Sequence, residues 1–151
     1  MITLDEFKKK HSDKSRLIGL DLGSKRIGVS ICDEKQLIAT PFKTIEKKTS
    51  MQLIEQLKSI INENNIKGII IGNPLNMDGS FGKSAQSVKD VSAYIEKNLD
   101  IPVCLWDERL STVGAFNLSS QLDINVSKRE KKIDENAAAF ILQGAIDFLN
   151  N

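Results

Sequence analysis

The run Leu17-Ile18-Gly19-Leu20-Asp21-Leu22, the link Gly23-Ser24-Lys25-Arg26 and the run Ile27-Gly28-Val29-Ser30-Ile31-Cys32 follow one another without a break. Both runs are short and apolar, and the link between them suffices for a hairpin but is far too short for a crossover. A third run, Leu37 to Ile45, follows the equally short link Asp33-Glu34-Lys35-Gln36, so three antiparallel strands are expected. In the second of them Ile27, Val29 and Ile31 alternate with Gly28, Ser30 and Cys32, the pattern of a half-buried strand with one face toward a core.

Working outward toward the N-terminus, residues 1–15 mix acidic and basic side chains, and Thr3 with Glu6 has capping-box spacing for one short helix carrying Leu4 and Phe7. They read as a lead-in segment to a single domain over 16–151. Toward the C-terminus the period changes. Thr49 and Gln52 make a second capping box, and Ile54, Leu57, Ile60 and Ile61 fall on one helical face that Asn62 to Asn65 ends. Gly68-Ile69-Ile70-Ile71-Gly72 is a continuous apolar run, which suits a parallel strand covered on both faces. Val88, Val91, Ile95 and Leu99 form a second helical stripe, and Ile101 to Trp106, entered through Pro102, the next strand. Ser111 or Thr112 can cap a third helix toward Leu122. A polar, basic link from Asp123 to Lys132 leads to a last helix bearing Ile133, Ala137, Phe140, Ile141, Ala145 and Phe148. Three antiparallel strands followed by βαβ units give an α/β domain with a mixed five-stranded sheet flanked by helices, the element order of a ribonuclease H-like fold.

The 151 residues suit one domain, and 40% hydrophobic with 27% charged residues lies in the globular range. With 21 basic and 20 acidic side chains the formal charge is +1, so bulk charge names no nucleic-acid partner and a local basic patch would be needed. Cys32 and Cys104 lack CxxC spacing, and the lone His11 cannot complete a zinc site with them, which fits a reduced, cytoplasmic protein. No apolar stretch approaches the ~18 residues of a membrane span, and no secretory h-region opens the chain.

The chemistry is expected from carboxylates. Asp21 sits late in an apolar strand, where an unpartnered ion would cost several kcal/mol. It either turns outward onto the Ser24 to Arg26 link, pairing with Lys25 or Arg26, or ligates a metal. Asp107 and Glu108 follow Val103-Cys104-Leu105-Trp106 at a strand's carboxyl end, where α/β sheets gather ligand groups. The period of two points them to opposite faces, so only one can join a shared site, with Arg109 available to neutralise the other. Asp134 opens the last helix, either as an ordinary N-cap or as an acid brought against the strand of Asp21. Converging carboxylates suit a hard cation such as Mg²⁺, and two ions can serve phosphodiester hydrolysis. Gly72 to Ser80 is a loop after a buried strand, structural or else presenting Asn76 and Ser80 to a phosphate backbone beside Lys83. Lys128, Arg129, Lys131 and Lys132, directly before Asp134, are solvated surface or a basic entry for nucleic acid.

Four blocks in order, Gly19 to Val29, Gly72 to Ser80, Asp107 to Thr112 and Asp134-Glu135-Asn136-Ala137-Ala138, resemble the YqgF (RuvX) family over roughly residues 16 to 150. The resemblance implies a ribonuclease H-like fold, a bacterial cytoplasmic location, and activity as a Holliday junction resolvase or pre-16S rRNA processing nuclease. It implies that the family's first-strand Asp falls on Asp21, its strand-end acid on Glu108 and its helix-start Asp on Asp134. Asn73, where the family more often has an apolar residue, and the lead-in, longer than usual, depart from the pattern.

The expected function is thus a Mg²⁺- or Mn²⁺-dependent endonuclease, with two ions in the presence of substrate. Asp21, Glu108 and Asp134 hold the metal, with Asp107 a further candidate ligand. Lys25, Arg26, Asn76, Ser80, Lys83, Arg109, Lys128, Arg129, Lys131 and Lys132 serve nucleic acid, either precursor rRNA in ribosomal assembly intermediates or branched DNA. Self-association as a homodimer stays open. The alternative is a catalytically quiet nucleic-acid or ribosome-assembly module of the same fold. Asp21-Leu22-Gly23-Ser24 also looks like the first phosphate loop of actin-like ATPases, but those need two such domains.

Overall fold

The computed structural model describes residues 1–11, 14–74, 82–107 and 126–151, without the side chains of Lys83, Ser84 and 126–132. Strands β1 (Arg16–Leu22), β2 (Arg26–Cys32), β3 (Ala39–Glu46), β4 (Ile66–Asn73) and β5 (Val103–Asp107) form one sheet in the order β3-β2-β1-β4-β5. The pairs β1–β2 and β2–β3 are antiparallel, whereas β1–β4 and β4–β5 are parallel. The mixed sheet expected from link lengths is therefore the one observed. Helices α1 (Leu4–Lys10), α2 (Ser50–Asn64), α3 (Lys83–Asn98) and α4 (Val126–Leu149) flank it. The helix expected between Ser111 and Leu122 lies outside the described residues.

Local chemistry explains most element ends. Thr3 and Thr49 cap α1 and α2, each hydroxyl accepting at 3.1 Å from the backbone N–H three residues on. Asn65 ends α2 in the left-handed region at φ 54°.

Strand alternation sorts the core into two layers. Ile18, Leu20, Ile27, Val29, Ile69, Ile71 and Val103 face α2 and α3, burying Leu53, Leu57, Val88 and Ile95. Leu17, Cys32, Ile70 and Cys104 face the other way, toward Ile141, Leu142, Ala145 and Ile146 of α4 and Leu4 and Phe7 of α1. Each fully buried Leu or Ile contributes about 1.5–3 kcal/mol, so both layers matter to stability. The lead-in shares the second layer, and Ile2 bridges Cys104 at the β5 edge.

β2 departs from the half-buried strand expected of it. Its small-residue face is not open: Ser30 is fully buried and donates at 2.7 Å to the Ala138 carbonyl of α4. Small side chains on that face mark a helix packed close to the sheet, not a surface facing water.

The β2–β3 turn is organised by Asp33. Its Oδ1 accepts from the backbone N–H groups of Leu37 (2.8 Å) and Ile38 (2.9 Å), and its Oδ2 from Lys35 (3.2 Å). These bonds, that from Ile38 foremost, hold its carboxyl below the usual range. A lowered folded value means that Asp33 stabilises fully above its unfolded value of about 4, and that the contribution is lost as pH falls through the folded value. Urea midpoints measured downward from pH 5 are expected to fall less steeply below about pH 4 for Asp33→Asn than for wild type. Equal slopes would remove this carboxylate from the acid response.

Candidate functional site

Asp21 is the penultimate residue of β1 and lies directly across from Gly28 of β2. It shares a strand face with Leu17 and Gly19, the face that α4 covers, so its half-buried carboxylate belongs to the α4 side of the sheet. A side-chain carbon built on Gly28 would fall on the carbonyl of Asp134, so the absence of one lets the helix backbone rest on the strand. Directly opposed residues in such a pair are ~5 Å apart, which puts the Asp134 backbone about one strand spacing from Asp21. The carboxylate of Asp134 is engaged: its Oδ2 lies 2.8 Å from Nε of Arg26, with side chains 21% and 26% exposed.

Two sequence expectations need correction. Asp134 does not open the last helix, which starts at Val126 and carries Asp134 more than two turns inside it. N-capping is thereby excluded for this residue, and Lys128 to Lys132 belong to the helix, not to a link. The cause is tertiary: a helix whose later turns pack on the sheet can extend through a polar stretch without local apolar periodicity.

Asp107 ends β5 in register with Asn73. Val103 and Leu105 of that strand face α2 and α3, whereas Cys104 and Trp106 face α4. Alternation therefore turns Asp107 to the face opposite Asp21. Glu108 and Arg109 lie outside the described residues, as do Asn76 and Ser80. The positively charged candidates divide likewise: Lys25 is exposed in the β1–β2 turn, Lys83 is the first residue of α3, and Lys128, Arg129, Lys131 and Lys132 lie in the first two turns of α4.

Among the described residues no cluster of three or more acids, His or Cys could hold a metal. The oxygen donors of Asp21 and Asp134 nevertheless fit a hard divalent cation, which is typically held by one or two carboxylates with water and substrate phosphate filling the rest. The two thiols offer no alternative chemistry. Burial pushes both up, Cys104 to about 12, so neither is a nucleophile near neutral pH.

Residues 15–148 match the RuvX family, described as Holliday junction resolvase. The chain belongs to that family. A "Putative pre-16S rRNA nuclease" of Pelagibacter ubique (strain HTCC1062) is 74% identical over 151 residues, covering both chains in full. A relative of the same name from Nitrobacter hamburgensis is 43% identical over 137 residues, 91% of this chain and 84% of its own. Among solved structures, T. thermophilus RuvC in complex with Holliday junction substrate superposes with a TM-score of 0.56 at 10% identity, covering 87% of this chain and 93% of its own. The yeast mitochondrial Holliday junction resolvase gives 0.52 at 13%, covering 97% and 85%. The RuvX chain thus has the ribonuclease H-like fold of the resolvases, as its element order suggests.

Several residues around this RuvX site escape a reading of the sequence alone. Lys47 donates its backbone N–H to the Lys25 carbonyl at 2.9 Å, which ties the end of β3 to the β1–β2 turn, while Lys47 and Lys48 line a pocket with Leu53 of α2 and Tyr94 of α3. Thr44, across from Gly28 on β3, donates to Glu135 at 3.0 Å and helps set the rotation of α4. Gly28 did carry a signal, because a glycine within a strand often marks close approach of another backbone. Nothing local marks Lys47, Lys48 or Thr44.

Proposed function

We propose that this RuvX chain is a metal-dependent endonuclease that hydrolyses phosphodiester bonds in nucleic acid, acting in the cytoplasm on 16S rRNA precursors within ribosomal assembly intermediates. The observation that supports the reading is that the Asp134 backbone rests on Gly28, the residue directly across from Asp21, so that acids from two remote segments share one sheet end. The family's name and those of its close relatives support the same reading, and the relatives favour precursor rRNA over branched DNA.

Asp21 and Asp134 would hold Mg²⁺ or Mn²⁺ together with Glu108, the strand-end acid left to this role once Asp107 turns to the other face. When bound there, the metal supplies Lewis acidity and a water of lowered pKa, a pair of ions serving attacking and leaving oxygens. The protein's own part is to fix the carboxylates and orient the phosphodiester for in-line displacement. Water attacks phosphorus as the bond to the leaving sugar oxygen breaks. Lys25, exposed in the β1–β2 turn between Asp21 and Gly28, would attract the phosphate backbone at long range. Arg26, Asn76, Ser80, Lys83, Arg109, Lys128, Arg129, Lys131 and Lys132 are proposed as further contacts.

End-labelled precursor-rRNA fragments and a four-way DNA junction, each incubated with Mg²⁺, Mn²⁺ or EDTA, test this. Discrete cuts in the precursor RNA are expected with either metal and none in EDTA. RNA binding that persists in EDTA, without cleavage of either substrate under any metal, would instead establish the quiet assembly module.

A further inference from the structure

The Asp134 backbone rests on Gly28, directly across from Asp21, and the RuvX chain supplies a cation of its own at the Asp134 carboxylate. Arg26 opens β2, and its backbone is held on two sides: its carbonyl accepts from Gly23 at 3.0 Å, and it pairs with Glu46 of β3. From that fixed base the side chain reaches a residue 108 positions away, with Nε 2.8 Å from Asp134 Oδ2. The pair is partly buried, 26% and 21% exposed, so solvent screens it less than an open surface bridge. A guanidinium stays protonated at any working pH, and only another cation can take over its role at the acid.

We infer that Arg26 is the built-in counter-ion of the acid pair, holding Asp134 in the metal-free protein and competing with the divalent cation for it. The inference rests on the reading of Asp21 and Asp134 as metal ligands. Arg26 is a positioning residue under this account. It keeps the Asp134 carboxylate beside the sheet end while it lowers the affinity of the nucleic-acid-free protein for metal. Its cost and benefit have opposite signs in two measurements, which separates this role from simple structural support.

The test uses Mn²⁺ alone, titrated into the full-length protein without nucleic acid and followed by the paramagnetic resonance signal of free Mn²⁺. Arg26→Gln is expected to bind Mn²⁺ about three- to tenfold more tightly than wild type while melting at a lower temperature in EDTA. Arg26→Lys, which keeps the charge, is expected to bind Mn²⁺ within about twofold of wild type. Unchanged or weaker Mn²⁺ binding by Arg26→Gln overturns the counter-ion role. Should Arg26→Gln fail to fold, the wild type decides: Mg²⁺ is expected to shift the Arg26 Nε–H resonance, and an unmoved resonance at saturating Mg²⁺ overturns the proposal. Asp21→Asn binding Mn²⁺ as tightly as wild type overturns the metal-site reading itself, and no Mn²⁺ binding by the wild type overturns both.

Discussion

Asp21→Asn is expected to lower metal-dependent cleavage by about a thousandfold or more while leaving the fold intact, because it removes the anionic oxygen of a proposed metal ligand without changing side-chain shape. Asp21 lies at the end of β1 on the face that α4 covers, half-buried and next to the Asp134 position. A neutral amide there keeps one acceptor oxygen but loses the charge that a hard cation requires. The amide keeps the side chain's shape and an acceptor oxygen at a half-buried position, so the melting temperature in EDTA should stay within about 3 °C of wild type. Cleavage rates under single-turnover conditions, with circular dichroism melts alongside, would check both halves. Full activity in a folded Asp21→Asn protein would remove Asp21 from the chemistry.

A comparable loss is expected from a residue with no functional group. Gly28→Ala places a carbon where the Asp134 carbonyl already sits, and that carbonyl is helix backbone, unable to swing aside like a flexible side chain. Either β2 or α4 must move. Overpacking of this kind costs about 1–3 kcal/mol, and a shift of α4 also carries Asp134 away from Asp21. Gly28→Ala is therefore expected both to lower the urea midpoint and to reduce cleavage by at least about a hundredfold at temperatures where the protein remains folded. Ser30→Ala, two residues along the same face, loses the hydroxyl's bonds to the Ala138 and Gly19 carbonyls and should cost about 1 kcal/mol. Equal stability of Gly28→Ala and wild type would mean that α4 does not rest on β2 in solution.

The two substitutions test different links in one chain of causes. On the proposed reading Asp21 supplies the charge, Gly28 lets the Asp134 backbone rest across from it, and Arg26 holds the Asp134 carboxylate in the metal-free protein.

Much of the frame was legible in the residues because it is written in local patterns. Short links made β1, β2 and β3 antiparallel neighbours, threonines marked the starts of α1 and α2, and the Ile69 to Ile71 run marked β4 as a strand buried on both faces. Asp21 stood out for the same reason: one charged residue in an apolar strand needs an explanation wherever the rest of the chain lies. The four ordered blocks added the family, which the match over residues 15–148 confirms.

Other features depended on contacts between remote segments, and no local pattern could reveal them. The alternation in β2 correctly separated two faces but assigned the small one to solvent, because a period of two records a difference between faces and not what covers each. Asp134 looked like a helix cap since the polar residues before it lack an apolar stripe, yet packing of the later turns carries α4 back to Val126. The face that Asp107 takes also needed tertiary information, namely which layer Val103 and Leu105 enter and which receives Cys104 and Trp106. Sequence by itself determined which residue types could do metal chemistry and on which elements they stand, because charge, capping and periodicity are properties of neighbouring residues. Only the tertiary structure decided that Asp134 meets the strand of Asp21 and that Arg26 stands at its carboxylate. The physical reason is that sheet register and helix seating are set by close packing between segments more than a hundred residues apart.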